Sequence, residues 1–204
     1  MDLFPLFLKL AGRKCVVAGA GSVAEDKIAG LLRAGAKVRV VAPEATSRIR
    51  SWARAKRIRW QARPFETPDL EGAFLVVAAT SSSAVHARIY REARQRGVLC
   101  NVVDDPEHCE FYYGSVVRRG ALQIAISTGG QSPALAQRLR KRLEREYGAE
   151  YKSWLAELGT LRKKLFAKKM TPERQRALLR RLASESSFEE FVRRWKRGFR
   201  RGTR

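Results

Sequence analysis

Three short stretches of the sequence hold residue types that can do chemistry. Gly19-Ala20-Gly21-Ser22-Val23-Ala24 has the GxGxxA spacing of a turn that sets backbone against a pyrophosphate. Gly19 permits the tight turn, Gly21 leaves room for an anion, and Ala24 lets a helix lie close on a sheet. A merely structural glycine turn is the competing reading, and context weighs against it: a β-rich run precedes the motif and a helical pattern follows. Asn101-Val102-Val103-Asp104-Asp105-Pro106 carries two adjacent carboxylates able to accept a proton or hold a metal, although Asp105-Pro106 can equally just open a loop. Ser127-Thr128-Gly129-Gly130-Gln131-Ser132-Pro133 is a glycine turn opening a helix; it can cradle a carboxylate or phosphate, or simply turn and cap. His86 reads as a structural or solvated residue. His108-Cys109 has metal-ligand types, but two adjacent side chains do not make a site.

These stretches need elements to hold them. From Lys14 to about Asn101, β-rich runs at 14–18, 37–42, 58–61, 74–79 and 98–102 alternate with helical patterns at 22–34, 45–56 and 82–96. Val16–Val17 and Leu75–Val77 are apolar without alternation, as strands covered on both faces are. Val23, Ala24, Ile28, Leu31 and Leu32 form one stripe of the first helix, which ends at Gly35. Strand and helix in alternation imply a Rossmann-like, doubly wound parallel sheet, an α/β fold. The second strand runs into Ala42-Pro43-Glu44, and Glu44 there can meet ribose hydroxyls. NAD is therefore preferred to NADP, while Arg39 and Arg48 would suit a 2′-phosphate.

Beyond Pro106 the pattern changes. Phe111–Val117 and Ala121–Ser127 read as strands joined at Arg118-Arg119-Gly120, and Ser132-Pro133 starts a helix to about Tyr147. This β-β-α unit is too small to stand alone, so it either extends the sheet or pairs with a second copy. Helices follow near 150–168, 172–183 and 188–200. Thr171-Pro172-Glu173 marks one start, and Ser187 with Glu190 fits a capping box at another. Leu155, Leu158, Leu161 and Leu165 form one apolar stripe; Phe188, Phe191, Val192 and Trp195 form another. The closing RGFRRGTR reads as an end without regular structure.

Composition bounds the function. The 204 residues are 45% hydrophobic, which excludes wholesale disorder, and 42 Lys and Arg against 20 Asp and Glu leave +22. Such a field attracts anions in general. Residues 151–204 hold 17 basic and 5 acidic groups, so the excess is densest in the tail. Three cysteines without a CxxC pair suggest neither a disulfide framework nor a zinc ribbon, and a reducing compartment fits. Lys9 interrupts the apolar opening, and the longest later apolar run, 73–79, is far short of a bilayer span. The expectation is a cytoplasmic protein with no membrane partner.

Met1-Asp2 with Pro5-Leu6-Phe7, VVAGAGSVAEDKIAGLLRAGAKVRVVAP, FLVVAAT, CNVVDDPEHCEF and IAISTGGQSPALAQRLRKRLE together resemble the precorrin-2 dehydrogenase family. That family includes sirohydrochlorin ferrochelatases and the N-terminal part of multifunctional sirohaem synthase, and the likeness covers about residues 1–150. It implies NAD-dependent oxidation of precorrin-2 to sirohydrochlorin, with ferrous iron a co-substrate where the relative also chelates. It implies a homodimer too, and three parts: an NAD-binding domain over 1–112, a dimerisation segment over 113–149 and a basic helical region over 150–204. The family's acidic residue falls on Asp104, as the catalytic group. The cofactor contacts fall on Gly19, Gly21, Ser22, Val23, Pro43 and Glu44, and the family's phosphorylatable serine aligns with Thr128, beside Ser127.

For the substrate's carboxylates, position and charge nominate Arg118, Arg119, Arg138, Thr128, Gly129 and Gly130. No methyltransferase segment follows within the 204 residues, so a separate uroporphyrinogen methyltransferase is expected to supply the substrate. The basic tail is expected to present solvated faces that assist substrate capture or an acidic partner. The alternative function is a non-catalytic scaffold on a Rossmann-like base that binds nucleic acid or a tetrapyrrole. The tail lacks a recognised nucleic-acid motif, so no nucleic acid is expected.

Overall fold

The computed structural model describes residues 3–201; the Met1-Asp2 pair of the opening motif and residues 202–204 lie outside the described residues. The chain divides into two compact units, the first ending at Tyr112 and the second starting at Tyr113.

In the first unit β1 (Lys14–Ala18), α1 (Ser22–Arg33), β2 (Lys37–Val41), α2 (Ser47–Arg54), β3 (Arg59–Gln61), β4 (Leu75–Ala78), α3 (Ser83–Gln95) and β5 (Leu99–Val102) follow one another. The strands form one parallel sheet in the order β3-β2-β1-β4-β5. Val16, Val17, Val76 and Val77 are wholly buried because helices cover both faces, which is why their runs show no alternation. On one face Ile28 and Leu31 of α1 and Ile49 and Trp52 of α2 pack on Val17, Val40 and Val77. On the other, Ile89 and Ala93 of α3 pack on Val16, Val76 and Val102. Gly35, at φ +75°, supplies the left-handed residue that ends α1. Val23 departs from the expected stripe: it is 49% exposed and faces the cleft side, while its neighbour Ala24 is the first-turn residue buried against the sheet.

The second unit holds an antiparallel hairpin of β6 (Ser115–Arg119) and β7 (Leu122–Ile126), then α4 (Pro133–Glu146), α5 (Glu150–Phe166), α6 (Pro172–Leu182) and α7 (Glu185–Arg201). The hairpin is a separate two-stranded sheet, so it does not extend the parallel one. Its first strand starts at Ser115 rather than Phe111, and the turn sits at Gly120, φ +63°, with Arg118 and Arg119 inside β6. Arg119 donates from Nε to Tyr147 O (2.7 Å), from Nη2 to Glu144 O (2.7 Å) and from Nη1 to Arg118 O (2.9 Å), closing the end of α4. Tyr151 and Trp154 of α5 meet the ring of Phe188 of α7 at 4.5 and 4.7 Å between centroids. The expected capping box at Ser187 and Glu190 is not formed: α7 begins three residues earlier, and Ser184 Oγ accepts from Ser187 N at 3.4 Å. The helix also runs through Arg201, into the stretch expected to lack structure.

Among the described residues no helix is long and apolar enough to cross a membrane. Cys15 and Cys100 lie in the buried strands, where burial pushes their thiols up to about 11 and about 12. Burial raises the half-buried Cys109 as well. At pH 8, native protein mixed with a chromogenic disulfide reagent is expected to react slowly at Cys109 alone, all three thiols appearing only in urea. Fast native labelling of Cys15 or Cys100 would contradict this packing.

Candidate functional site

The strand order reverses between β1 and β4, since the chain winds outward from β1 to β3 and then returns to the other side. Loops after β1 and β4 therefore part at the carboxyl edge and leave a cleft between them. Its volume is about 630 Å³. Residues 19–23 line it from the glycine loop, 41–43 from the end of β2, Pro64 and Phe65 from beyond β3, and 79–82 with Val85 from β4 and the start of α3.

The two motif glycines do different work. Gly19 is at φ +108°, and a Cβ there would overlap the Ala79 carbonyl group, so the loop after β1 crosses β4 at a separation only glycine allows. Gly21 has nothing within 4 Å of where its Cβ would be and caps α1 without a side-chain hydrogen bond. The amide groups of the first turn of α1 are thus open to an anion, and the helix dipole favours one. Residues, space and charge fit a dinucleotide pyrophosphate.

Of the six expected cofactor residues, Gly19, Gly21, Ser22, Val23 and Pro43 line the cleft, and Glu44 is exposed beside Pro43 without lining it. Sequence reasoning missed Pro64, Phe65 and residues 79–82. The only signals for them were a proline after β3 and the serine run after FLVVAAT. The two basic residues that would suit a 2′-phosphate are both engaged. Arg39 Nη1 faces Asp69 Oδ1 at 3.9 Å, and Arg48 Nη1 faces Glu25 Oε2 at 3.5 Å.

Asp104 stands outside the cleft lining but on the same edge. Ala18, Ala78 and Val102 are level across the neighbouring strands β1, β4 and β5, so Asp104 lies two strands from the glycine loop, about 10 Å at the usual strand spacing. It is exposed and left-handed at φ +60°, a conformation Asp and Asn tolerate better than most residues. Lys27 of α1 feels its charge: burial pushes the Lys27 ammonium down, while Asp104, Asp26 and Cys109 pull it up. Asp105 Oδ2 pairs with His108 Nδ1 at 2.7 Å, and Cys109 Sγ lies 3.1 Å from Val102 O. Both members of the His108-Cys109 pair are thus held in local contacts. Among the described residues no group of three or more His, Cys, Asp or Glu could hold a metal ion. His86 is half-buried, and its Nε2 is enclosed without a hydrogen-bond partner.

The other nominated residues belong to the second unit. Gly129 and Gly130 have φ +60° and +83°, and the turn is braced by Ser127 Oγ on Gly129 N (3.1 Å) and Thr128 Oγ1 on Ser132 N (3.2 Å). Arg118 and Arg138 are exposed, Arg118 donating across the hairpin to Gln123. Arg119 anchors α4 with all three guanidinium nitrogens, which leaves it poorly placed to serve a ligand.

A family model described as putative NAD(P)-binding matches residues 6–115, and one described as sirohaem biosynthesis protein central matches 119–146. The curated relatives include the sirohaem synthase of Nitrosococcus oceani, 41% identical over 144 residues, 71% of this chain and 31% of the relative. That of Methylobacillus flagellatus is 43% identical over 151 residues, 74% and 32%. The chain spans about a third of the length of these relatives. Among solved structures, one titled SirC, precorrin-2 dehydrogenase, matches with a TM-score of 0.78 at 26% identity, covering 96% of this chain and 100% of that one.

The contrast between the glycines gives a paired prediction. Gly19→Ala should destabilise the fold by about 2–4 kcal/mol, because strain and overlap both act on it. Gly21→Val should leave the melting temperature nearly unchanged yet sharply weaken NAD(P) binding in calorimetry. Wild-type affinity in Gly21→Val would count against this loop as the anion site.

Proposed function

The chain belongs to the family described as putative NAD(P)-binding, and on that premise we propose that it is an NAD-dependent oxidoreductase of sirohaem biosynthesis that converts precorrin-2 to sirohydrochlorin. The observation that carries this reading is the match of nearly the whole chain to a precorrin-2 dehydrogenase, with the glycine cleft intact. NAD is preferred to NADP because Arg39 and Arg48, the cations suited to a 2′-phosphate, already face carboxylates.

Bound NAD supplies the hydride acceptor, so the oxidation removes a hydride and a proton from the macrocycle. This chain's residues do the rest. The amides of the first turn of α1 hold the pyrophosphate, the 79–82 wall bounds the nicotinamide side, and Asp104 takes the proton or orients the ring. Arg118, Arg138 and the Thr128–Gly130 backbone are offered to the substrate's carboxylates. Ferrous iron, where the protein also inserts it, enters as a substrate.

The second unit supports a homodimer. Among its described residues only Val117, Ala136 and Phe191 are buried apolar residues, a thin core for its size that pairing with a second copy would complete.

Anaerobic incubation with precorrin-2 and NAD, with and without ferrous iron, tests the reading through the visible spectrum and NADH formation; no NADH in either arm would overturn it. Asp104→Asn keeps the left-handed backbone and side-chain shape while removing the carboxylate. Turnover should fall by about 100-fold or more with NAD affinity unchanged. Wild-type turnover in this variant would remove Asp104 from the chemistry.

A further inference from the structure

If the pyrophosphate sits at the glycine loop after β1, the dinucleotide must extend both ways along the sheet edge. Asp104 lies beyond β5, so the nicotinamide half belongs over β4 and β5, and the adenosine half over β2 and β3. That second half meets Val41 and the pair Pro64-Phe65. Residues 62–66 belong to neither strand nor helix, so no ladder fixes this wall.

Phe65 is itself buried in the core with Val16, Val41 and Leu70, and one polar side chain holds the backbone on either side of it. Asp69 is 1% exposed and, with Asn101, is one of two buried polar residues among those described. Its Oδ1 accepts from Arg63 Nη2 at 2.7 Å, and its Oδ2 accepts from Arg63 Nη1 and from Glu66 N, each at 2.9 Å. Arg63 Nη1 also donates to Pro64 O at 2.9 Å. Residues 63 and 66 flank Pro64-Phe65, so a single carboxylate grips the wall from both ends. Burial pushes the Asp69 carboxyl up, but the Arg63 and Glu66 hydrogen bonds and the charges of Arg63 and Arg39 outweigh it and hold it below the ordinary carboxylate range. The group is therefore ionised at neutral pH. A buried ion pair adds little stability in itself, so its value to the fold lies in what it positions.

Resting on the reading of the cleft as an NAD site, we propose that Asp69 is a positioning residue for the dinucleotide, clamping Pro64-Phe65 as the wall against which the adenine base lies. The clamp sets the wall before the base arrives, so the base does not have to order the loop on binding. Arg63 acts through its planar, two-pronged contact, which a lysine does not reproduce.

The test uses the full chain and calorimetric titration with NAD, AMP and nicotinamide mononucleotide. For Arg63→Met and Asp69→Asn, binding of NAD and AMP is expected to weaken about tenfold while nicotinamide mononucleotide binds as in wild type. Arg63→Lys should recover only part of the loss. Unchanged AMP affinity in folded variants, or equal losses for both mononucleotides, would overturn the clamp. Should Asp69→Asn fail to fold, Arg63→Met, whose side chain is a third exposed, breaks the same contact from its outer partner and is read in the same way. Failure of the underlying reading looks different: wild type itself would show no saturable NAD binding, and both conclusions would fall.

Discussion

The site depends on one close approach, that of Gly19 to the Ala79 carbonyl group. The loop after β1 can cross the end of β4 only because residue 19 has no side chain and accepts φ +108°. That crossing places the first turn of α1 at the point where the strand order reverses, and the sheet carries it there rigidly. Val16, Val17, Val76 and Val77, the central residues of those two strands, are all fully buried. A contact between two main chains thus sets where an anion can bind, while the surrounding apolar residues only make the position stiff.

The two units are built by different means. The first builds an apolar core on both faces of a sheet, although Leu3, Phe4, Leu6, Phe7 and Leu8 ahead of β1 stay exposed. The second has a hairpin, half-buried leucine stripes and an aromatic contact between α5 and α7, and its buried apolar residues are few. Its charge is equally lopsided. Among the described residues from 151 onward a single ion pair, Arg194 with Glu157 at 3.0 Å, offsets a dense run of Lys and Arg. Most of those cations point to solvent, as the charged faces of amphipathic helices do. The net charge of +22 is thus mainly an unpaired surface of the second unit, while the anion site of the first rests on main-chain amides.

The parallel sheet was legible because each of its strands and helices is a local pattern. Uninterrupted β-branched runs, glycine punctuation and the GxGxxA turn place every strand and α-helix of the first unit within a residue or two, while the short helical turns at 67–70 and 106–108 went unread. Harder were features set by several residues at once. Ser187 and Glu190 satisfy the capping-box spacing, yet Ser184 lies at the true start, since position relative to the preceding helix decides which serine caps. Arg118 and Arg119 look like turn residues beside Gly120, but the turn falls one step later and draws them into β6. In the site, the glycine loop and Pro43 were readable, and the Pro64-Phe65 wall was not. In RPFETPD the Glu66–Asp69 contact is a local capping box at the start of a single short turn over 67–70, too brief to show a period, and the return of Asp69 to Arg63 depends on how that turn folds back.

The two buried polar residues join these points. Asp69 and Asn101 are enclosed in an otherwise apolar first unit, and both brace loops at the outer strands of the sheet. Asp69 ties the loop after β3. Asn101, in β5, donates from Nδ2 to Phe111 O at 2.8 Å and contacts Cys109 Sγ at 3.3 Å, which draws the 103–111 segment back onto the strand that leads to Asp104. A hydrophobic side chain at either place would fill space as well, but it could not fix a loop's backbone through directed bonds. Burying polar groups is costly, and this unit does so to hold one loop that lines the glycine cleft and one that leads to Asp104. The stiff sheet sets the middle of the site, and these two side chains hold loops beside it.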